Sequence, residues 1–387
     1  MPSVSVIIVS YKVRHYIEQC VDSVLRSLPD AQIIIVDNRS DDGSAEFLTA
    51  RFPQATVIAN SENLGFGKAN NMALAHAAGR YVLFLNPDTV VAGRTIPGCV
   101  EFMDSHPEAG AVGVRMQYGN GCFAPESRRS VPTPSVSFFH MSGLGRLFPG
   151  SRLFARYHLT YIDRDQPCGI EVVSGAYMFV RKEALDRTDG FDETFFMYGE
   201  DIDLSYRILK AGYENRYLPL PIVHYKGEST VKTSYRYAKV FYDAMQIFYD
   251  KHFRHYSGLF SLLVRVVLGI RKLTTFIGQN LLAGKRRLAD SAEPCVFIGG
   301  RSCFEKASSL VAGSRFLKDM DYVGCNGIME IPETELAGKE AVVFDTSAFT
   351  YNEILDWMYD RACQGKPMTM GLFNPDTGRL ITEDEVL

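Results

Sequence analysis

The chain is predicted to be an α/β protein. A domain with a mostly parallel central sheet is expected over residues 1–231, a basic helical region over 232–290 and a small second α/β domain over 291–387. Four apolar runs rich in β-branched residues, Val4–Val9, Ile33–Val36, Val57–Ala59 and Tyr81–Leu85, alternate with helix-like stretches at Tyr16–Leu28, Ala45–Arg51 and Gly67–Ala78. Such alternation belongs to a parallel sheet with helices on both faces. Strand and helix patterns alternate again at Cys295–Ile298, from about Cys303, at Glu340–Phe344, Tyr351–Gln364 and Pro367–Phe373. Between these two blocks the charge reverses: residues 232–289 carry eleven Lys/Arg against two Asp/Glu, and residues 290–387 carry eight against seventeen. A boundary near 290 follows.

A chain of 387 residues, 46% of them hydrophobic, has room for two domains and a substantial core. Its net charge of −4 lacks the basic excess of a general nucleic-acid binder. The eight cysteines are far apart with no C-x-x-C pair, so neither a zinc site nor a disulfide framework is indicated, and a reducing cytoplasm fits best. Met1–Val9 reads as a buried strand and lacks the basic start and long apolar stretch of a signal peptide.

In the basic region, Leu259–Arg286 has helical amphipathicity, with Arg265, Lys272 and Arg286 opposite Leu263, Val266, Ile270 and Leu273. Its charges interrupt what would otherwise approach spanning length. Peripheral contact with the inner face of an anionic cell membrane is the preferred reading, and packing on the first domain is the alternative. In the C-terminal domain Gly299-Gly300 follows a strand without a G-x-G-x-x-G pattern. Docking or oligomerisation is therefore preferred there over ligand binding.

Ligands of parallel sheets bind beyond the carboxyl ends of the strands, and those positions are polar here. Ser10-Tyr11-Lys12 follows the first run, Asp37-Asn38-Arg39-Ser40 the second, Asn60–Asn71 the third and Asn86-Pro87-Asp88 the fourth. A carboxylate at Asp37 suits a pyrimidine N–H or a ribose hydroxyl, and Tyr11 can stack on a base. Asn63-Leu64-Gly65-Phe66-Gly67-Lys68 sets two glycines and a lysine at a helix start, where backbone, dipole and ammonium together favour an anion. Asp88 offers a hard oxygen ligand to Mg²⁺ or Mn²⁺, with His224 its obvious imidazole partner. In Met197–Arg207, Asp203 and Arg207 have the spacing of a structural helix pair. Glu200 and Asp201, after the flexible Gly199, are placed to project into a cleft, where either can act as a base.

Together, and in this order, these motifs resemble the family 2 glycosyltransferases of GT-A fold, in particular their bacterial rhamnosyltransferase-like branch. The resemblance spans about Val4–Ser229 and includes Ser174-Gly175-Ala176, Gly190-Phe191-Asp192-Glu193, Glu200–Leu204 and His224-Tyr225. It implies an inverting transfer of a sugar from a nucleotide diphosphate to an acceptor hydroxyl in surface polysaccharide or glycolipid synthesis. Asp37 would contact the nucleotide, Asp88 and His224 would hold Mg²⁺ or Mn²⁺, Asp201 would be the base, and Ser174-Gly175 would lie near a sugar. Asn86 stands where many relatives carry Asp, a form associated with the rhamnosyltransferase-like branch. The first donor expected is dTDP-rhamnose and the second a UDP-hexose, with a glycan or lipid-linked acceptor. The C-terminal domain lies outside the resemblance and is similar to Rossmann-like domains appended to some polysaccharide-assembly enzymes. Two other readings are a sugar-1-phosphate nucleotidyltransferase, which would need a Gly-, Arg- and Lys-bearing loop after the first strand, and a non-catalytic scaffold.

Overall fold

The computed structural model describes residues 2–225, 235–256, 258, 262, 292–325 and 327–387. The first sheet contains strands β1 (Val4–Ser10), β2 (Gln32–Asp37), β3 (Thr56–Ala59), β4 (Tyr81–Leu85), β5 (Thr89–Val91), β6 (Ala109–Gln117), β7 (Cys168–Ile170), β8 (Tyr177–Arg181) and β9 (Glu214–His224). Its order is β3-β2-β1-β4-β8-β6-β9-β5, with β7 paired to β9. Strands β1 to β4, β6 and β9 share one direction, and β5, β7 and β8 oppose it. Strands β1 to β4 are the part the apolar runs predicted.

Successive side chains leave a strand on opposite faces. Val6, Ile8, Ile33 and Ile35 therefore enter one core, and Ile7, Ile34 and Val36 enter the other. Helices α1 (Arg14–Ser27), α2 (Ser44–Arg51), α3 (Phe66–Leu74), α4 (Thr95–Ser105), α5 (Pro134–Met141), α6 (Leu144–Leu147), α7 (Lys182–Thr188) and α8 (Glu200–Lys210) surround the sheet. Ile17, Cys20 and Val24 of α1 fill the first core, and Ala69 and Ala73 of α3 with Leu204 and Ile208 of α8 fill the second. Each fully buried Val, Leu or Ile contributes about 1.5–3 kcal/mol relative to an exposed one.

Helix α9 (Tyr235–His252) begins the basic region. Its Ala244, Met245, Phe248 and Tyr249 pack against Val131, Val172, Phe195 and Ile202. Polar contacts fix the same face. Asp203, with its side chain fully buried, receives Arg207 Nε at 2.6 Å, Lys251 Nζ at 2.9 Å and His252 Nε2 at 2.7 Å. Lys251 also reaches Asp192 at 2.5 Å, which ties Gly190–Glu193 to α9. The amphipathic stretch at Leu259–Arg286 lies almost wholly outside the described residues. No helix among the described residues is long and apolar enough to cross a membrane.

The second sheet has the order β11-β10-β12-β13-β14, from β10 (Glu293–Ile298), β11 (Leu317–Val323), β12 (Ala341–Asp345), β13 (Thr369–Asn374) and β14 (Arg379–Ile381). All its pairs are parallel except β13 with β14. Helices α10 (Arg301–Val311) and α11 (Tyr351–Cys363) accompany it, and α11 starts at a capping box between Thr350 and Glu353. This sheet shares a core with the first. Val90, Ala92, Val223 and Tyr225 pack in one cluster with Val296, Val342, Phe344, Leu355 and Met358. Around it Arg94 makes two 2.7 Å bonds to Asp356, Gln117 donates to the Leu355 carbonyl at 3.0 Å, and the Met370 N–H donates to the Gly119 carbonyl at 2.9 Å.

Candidate active site

The carboxyl ends of the strands form one continuous polar edge. Ser10 closes β1 beside Asp37 at the end of β2. Beyond β4 the Asn86 N–H donates to the Ala176 carbonyl at 3.0 Å, which joins the Asn86-Pro87-Asp88 turn to the Ser174-Gly175-Ala176 segment. The Gly175 N–H in turn donates to Asp201 Oδ2 at 3.0 Å, and a Cβ at Gly175 would stand 3.3 Å from that of Asp201. His224 ends β9 opposite Thr89 of β5, which carries its ring to Asp88.

On the Asp37 side the carboxylate is buried and accepts both the N–H of Ser40, at 3.0 Å, and its hydroxyl. The Lys12 N–H donates to the same Ser40 oxygen at 2.9 Å, so the loops after β1 and β2 are locked together. Ser10 Oγ is buried without a hydrogen-bond partner among the described residues. Tyr11, 39% exposed, leaves a ring face open to stacking. Asn38 links these loops to the next. Its Nδ2 donates to Asn63 Oδ1 at 2.9 Å and to the Gly65 carbonyl at 3.2 Å, and its Oδ1 accepts the Leu64 N–H at 3.0 Å. Asn63 also caps the Gly65 N–H at 3.0 Å, so its amide oxygen is engaged in holding the loop. Gly65 has φ +80°, and a Cβ there would collide with the Phe196 carbonyl. That close approach delivers Lys68, exposed in the first turn of α3, to the same edge.

Asp88 and His224 form the candidate metal pair. Asp88 Oδ1 lies 3.3 Å from His224 Nε2, and Asn86 Nδ2 lies 3.2 Å from the same nitrogen. Both side chains are largely buried, and no cluster of three or more His, Cys, Asp or Glu ligands exists among the described residues. A carboxylate and an imidazole fit a hard divalent ion whose other positions are filled by diphosphate oxygens and water, the usual manner of Mg²⁺ at phosphate sites.

Glu200 and Asp201 open α8 after Gly199, whose φ is +83°. Acids in a first helical turn are favoured by the backbone N–H groups there. Their environments differ. Asp201 is ion-paired to Arg129 and receives the Gly175 N–H. Glu200 is buried rather than projecting into a cleft, and its Oε2 has no hydrogen-bond partner among the described residues. Burial, reinforced by the Asp201 charge, pushes the Glu200 carboxyl up to about 8. It therefore keeps its proton near neutrality, which disfavours it as a base. The unfolded chain releases that proton near the ordinary value of 4.5, so this group costs stability increasingly as pH rises from about 4.5 to about 8. Glu200→Gln is expected to raise Tm over the parent protein by a margin that grows between about pH 5 and about pH 8. Thermal melts across that range check it, and a margin independent of pH would contradict it.

The family model of glycosyl transferase family 2 matches residues 5–188. The likeness to this family thus spans residues 5–188 of the chain. Among similar proteins, the N-acetylglucosaminyl-diphospho-decaprenol L-rhamnosyltransferase of Mycobacterium tuberculosis is 28% identical over 262 residues, covering 64% of this chain and 84% of that protein. Rhamnosyltransferase WbbL of Escherichia coli is 27% identical over 238 residues, covering 57% and 83%. Among solved structures, the mannosyltransferase PcManGT from Pyrobaculum calidifontis has a TM-score of 0.46 at 18% identity, over 74% of this chain and 76% of that one. This glycosyltransferase is rhamnosyltransferase-like over those spans. The match favours glycosyl transfer over nucleotidyl transfer and over a scaffold without chemistry.

Two residues of this glycosyltransferase edge carried no sequence assignment. Asn38 organises three loops, which a lone Asn in a polar segment does not reveal. Arg129 is largely buried. Burial disfavours its charge, but Asp201 and the Tyr157 hydroxyl outweigh that and raise its pKa. The available signal was the Arg128-Arg129 pair in a stretch, 127–162, that has five arginines and no Asp or Glu.

Proposed function

We propose that this chain is an inverting, divalent-metal-dependent glycosyltransferase that moves rhamnose from dTDP-rhamnose to a hydroxyl of a lipid-diphosphate-linked sugar. The observation that carries the reading is the unbroken edge from Ser10 and Asp37 through Asn86, Asp88 and Ser174-Gly175 to Asp201, with His224 beside Asp88. Asp37, Ser10 and Tyr11 would hold the nucleoside, and Asn63, Gly65 and Lys68 would border its anionic part. Asp88 and His224 would hold Mg²⁺ or Mn²⁺, which when bound neutralises charge on the departing diphosphate. Asp201 would take the proton from the acceptor hydroxyl as it attacks the anomeric carbon opposite that diphosphate, which inverts the configuration in one step. Sugar and acceptor come from the two relatives, whose names specify rhamnosyl transfer and, in one, L-rhamnose and an N-acetylglucosaminyl-diphospho-decaprenol. UDP-hexose is the second donor to try.

The nucleotide-diphosphate affinity is expected to rise with Mn²⁺, and Asp88→Ala is expected to remove that dependence. His224→Ala should weaken it less, because water and diphosphate can fill an imidazole position. Titration of dTDP and UDP with and without Mn²⁺ measures this. Unchanged metal dependence in Asp88→Ala would take Asp88 out of the site.

A further inference from the structure

We propose that the segment Leu144–Leu153, with Phe138 behind it, is a wedge that inserts into an anionic lipid bilayer. Its apolar side chains stand in solvent. Leu147 is 72% exposed, Leu153 60%, Phe148 52% and Phe138 48%. Monomeric proteins seldom gather large apolar side chains on one exposed tip without a partner for them. A chain of ring contacts supports the tip from below, with Phe138–Phe139 centroids at 5.6 Å, Phe139–Phe154 at 5.0 Å and Phe148–Phe154 at 5.6 Å. Among the described residues, a Cβ at Gly143 or Gly150 would meet no atom within 4 Å.

The charge selects the occupant. Arg146 and Arg152 flank the tip, are exposed and make no ion pair among the described residues. There is no Asp or Glu between Glu126 and Asp163. A second copy of the same tip would set arginine against arginine with no acid of the segment to relieve it. An anionic bilayer complements both properties, accepting the leucine and phenylalanine side chains at its acyl boundary and the guanidinium groups at its headgroups.

The wedge is fixed to the candidate active site. Thr160 Oγ1 donates to the Pro149 carbonyl at 2.7 Å and ties the tip to its return strand of chain. That return leads to Tyr157, whose carbonyl accepts the Ser130 N–H at 3.0 Å and whose hydroxyl meets Arg129, the partner of Asp201. Insertion would therefore hold the polar edge at a set height over the lipid surface. This segment is distinct in sequence from the basic stretch at residues 259–286, and the inference does not depend on which sugar is moved.

The test is co-sedimentation of the full chain with vesicles of phosphatidylglycerol and phosphatidylcholine, against vesicles of phosphatidylcholine alone. The parent protein should bind the anionic vesicles preferentially. Two surface variants, Leu147→Glu with Phe148→Glu and Arg146→Glu with Arg152→Glu, should each lower partitioning about tenfold or more with Tm unchanged. Vesicle-free thermal shifts with dTDP and Mn²⁺ should remain in both, so loss of vesicle binding is separable from failure of the glycosyltransferase reading. Parent-level binding in both variants, equal binding to the two vesicle types, or a parent dimer that either variant dissociates would overturn the proposal.

Discussion

Replacing Asp201 by Asn is expected to lower kcat by about 10²–10⁴-fold while leaving donor affinity nearly intact, the loss typical of removing a positioned base. The amide keeps the shape of the carboxylate and can still accept the Gly175 N–H, but it cannot take a proton and loses the ion pair with Arg129. Glu200→Gln is the control. Its carboxyl is already protonated near neutrality, pushed up to about 8 by burial and then by Asp201, so an amide there changes little that the reaction uses. Steady-state kinetics with separate donor-binding titrations distinguish the two residues. A larger loss of kcat in the Glu200 variant would transfer the role to Glu200, and parent-level turnover in both would end the base assignment.

Asp203→Ala is expected to destabilise the fold by about 3–5 kcal/mol, the usual consequence of removing one member of a buried ionic cluster. The side chain is fully buried and faces Arg207, Lys251 and His252, so its loss leaves cationic groups in a poorly solvated place with no counter-ion. Burial alone would raise the Asp203 carboxyl, but His252, Arg207 and Lys251 outweigh it and bring it down to about 2. The sign of the pH effect follows. A carboxylate depressed in the folded state contributes its full stability above the unfolded value of 3.8 and loses it as pH falls from about 4 to about 2. Denaturant unfolding of both proteins should therefore show a gap that is wide at neutral pH and narrows in acid. A gap below about 1 kcal/mol at neutral pH would mean that the cluster is no more than a surface ion pair.

The parallel half of the first sheet was legible because both its faces are covered, which leaves near-continuous apolar runs at Val4–Val9, Ile33–Val36 and Tyr81–Leu85. Strands β5, β6, β7 and β8 were not marked out. β5 and β7 are only three residues long, and β8 opposes its neighbours on both sides, outside the parallel strand–helix alternation. The residues at the strand ends were legible as a set because sheet topology decides where a polar edge can form. Their individual environments were not. Glu200 and Asp201 are adjacent in sequence and look equivalent there, and Arg129, brought from 72 residues away, together with the Gly175 N–H makes them different. The pairing of Asp203 with Arg207 could be read from its helical spacing, but Lys251 and His252 join it through the packing of α9, a long-range contact with no local signature.

The core shared by the two sheets has a consequence for the edge of the first. β5 ends that sheet and would present an unpaired row of backbone groups on its outer side, a template on which other chains can add strands. Its three residues are instead buried, with Val90 and the adjoining Ala92 covered by side chains of the C-terminal sheet. A chain ending before residue 291 would uncover that strand together with Val223 and Tyr225, on either side of His224. The C-terminal sheet thus covers an apolar margin beside the place where the candidate metal pair is held.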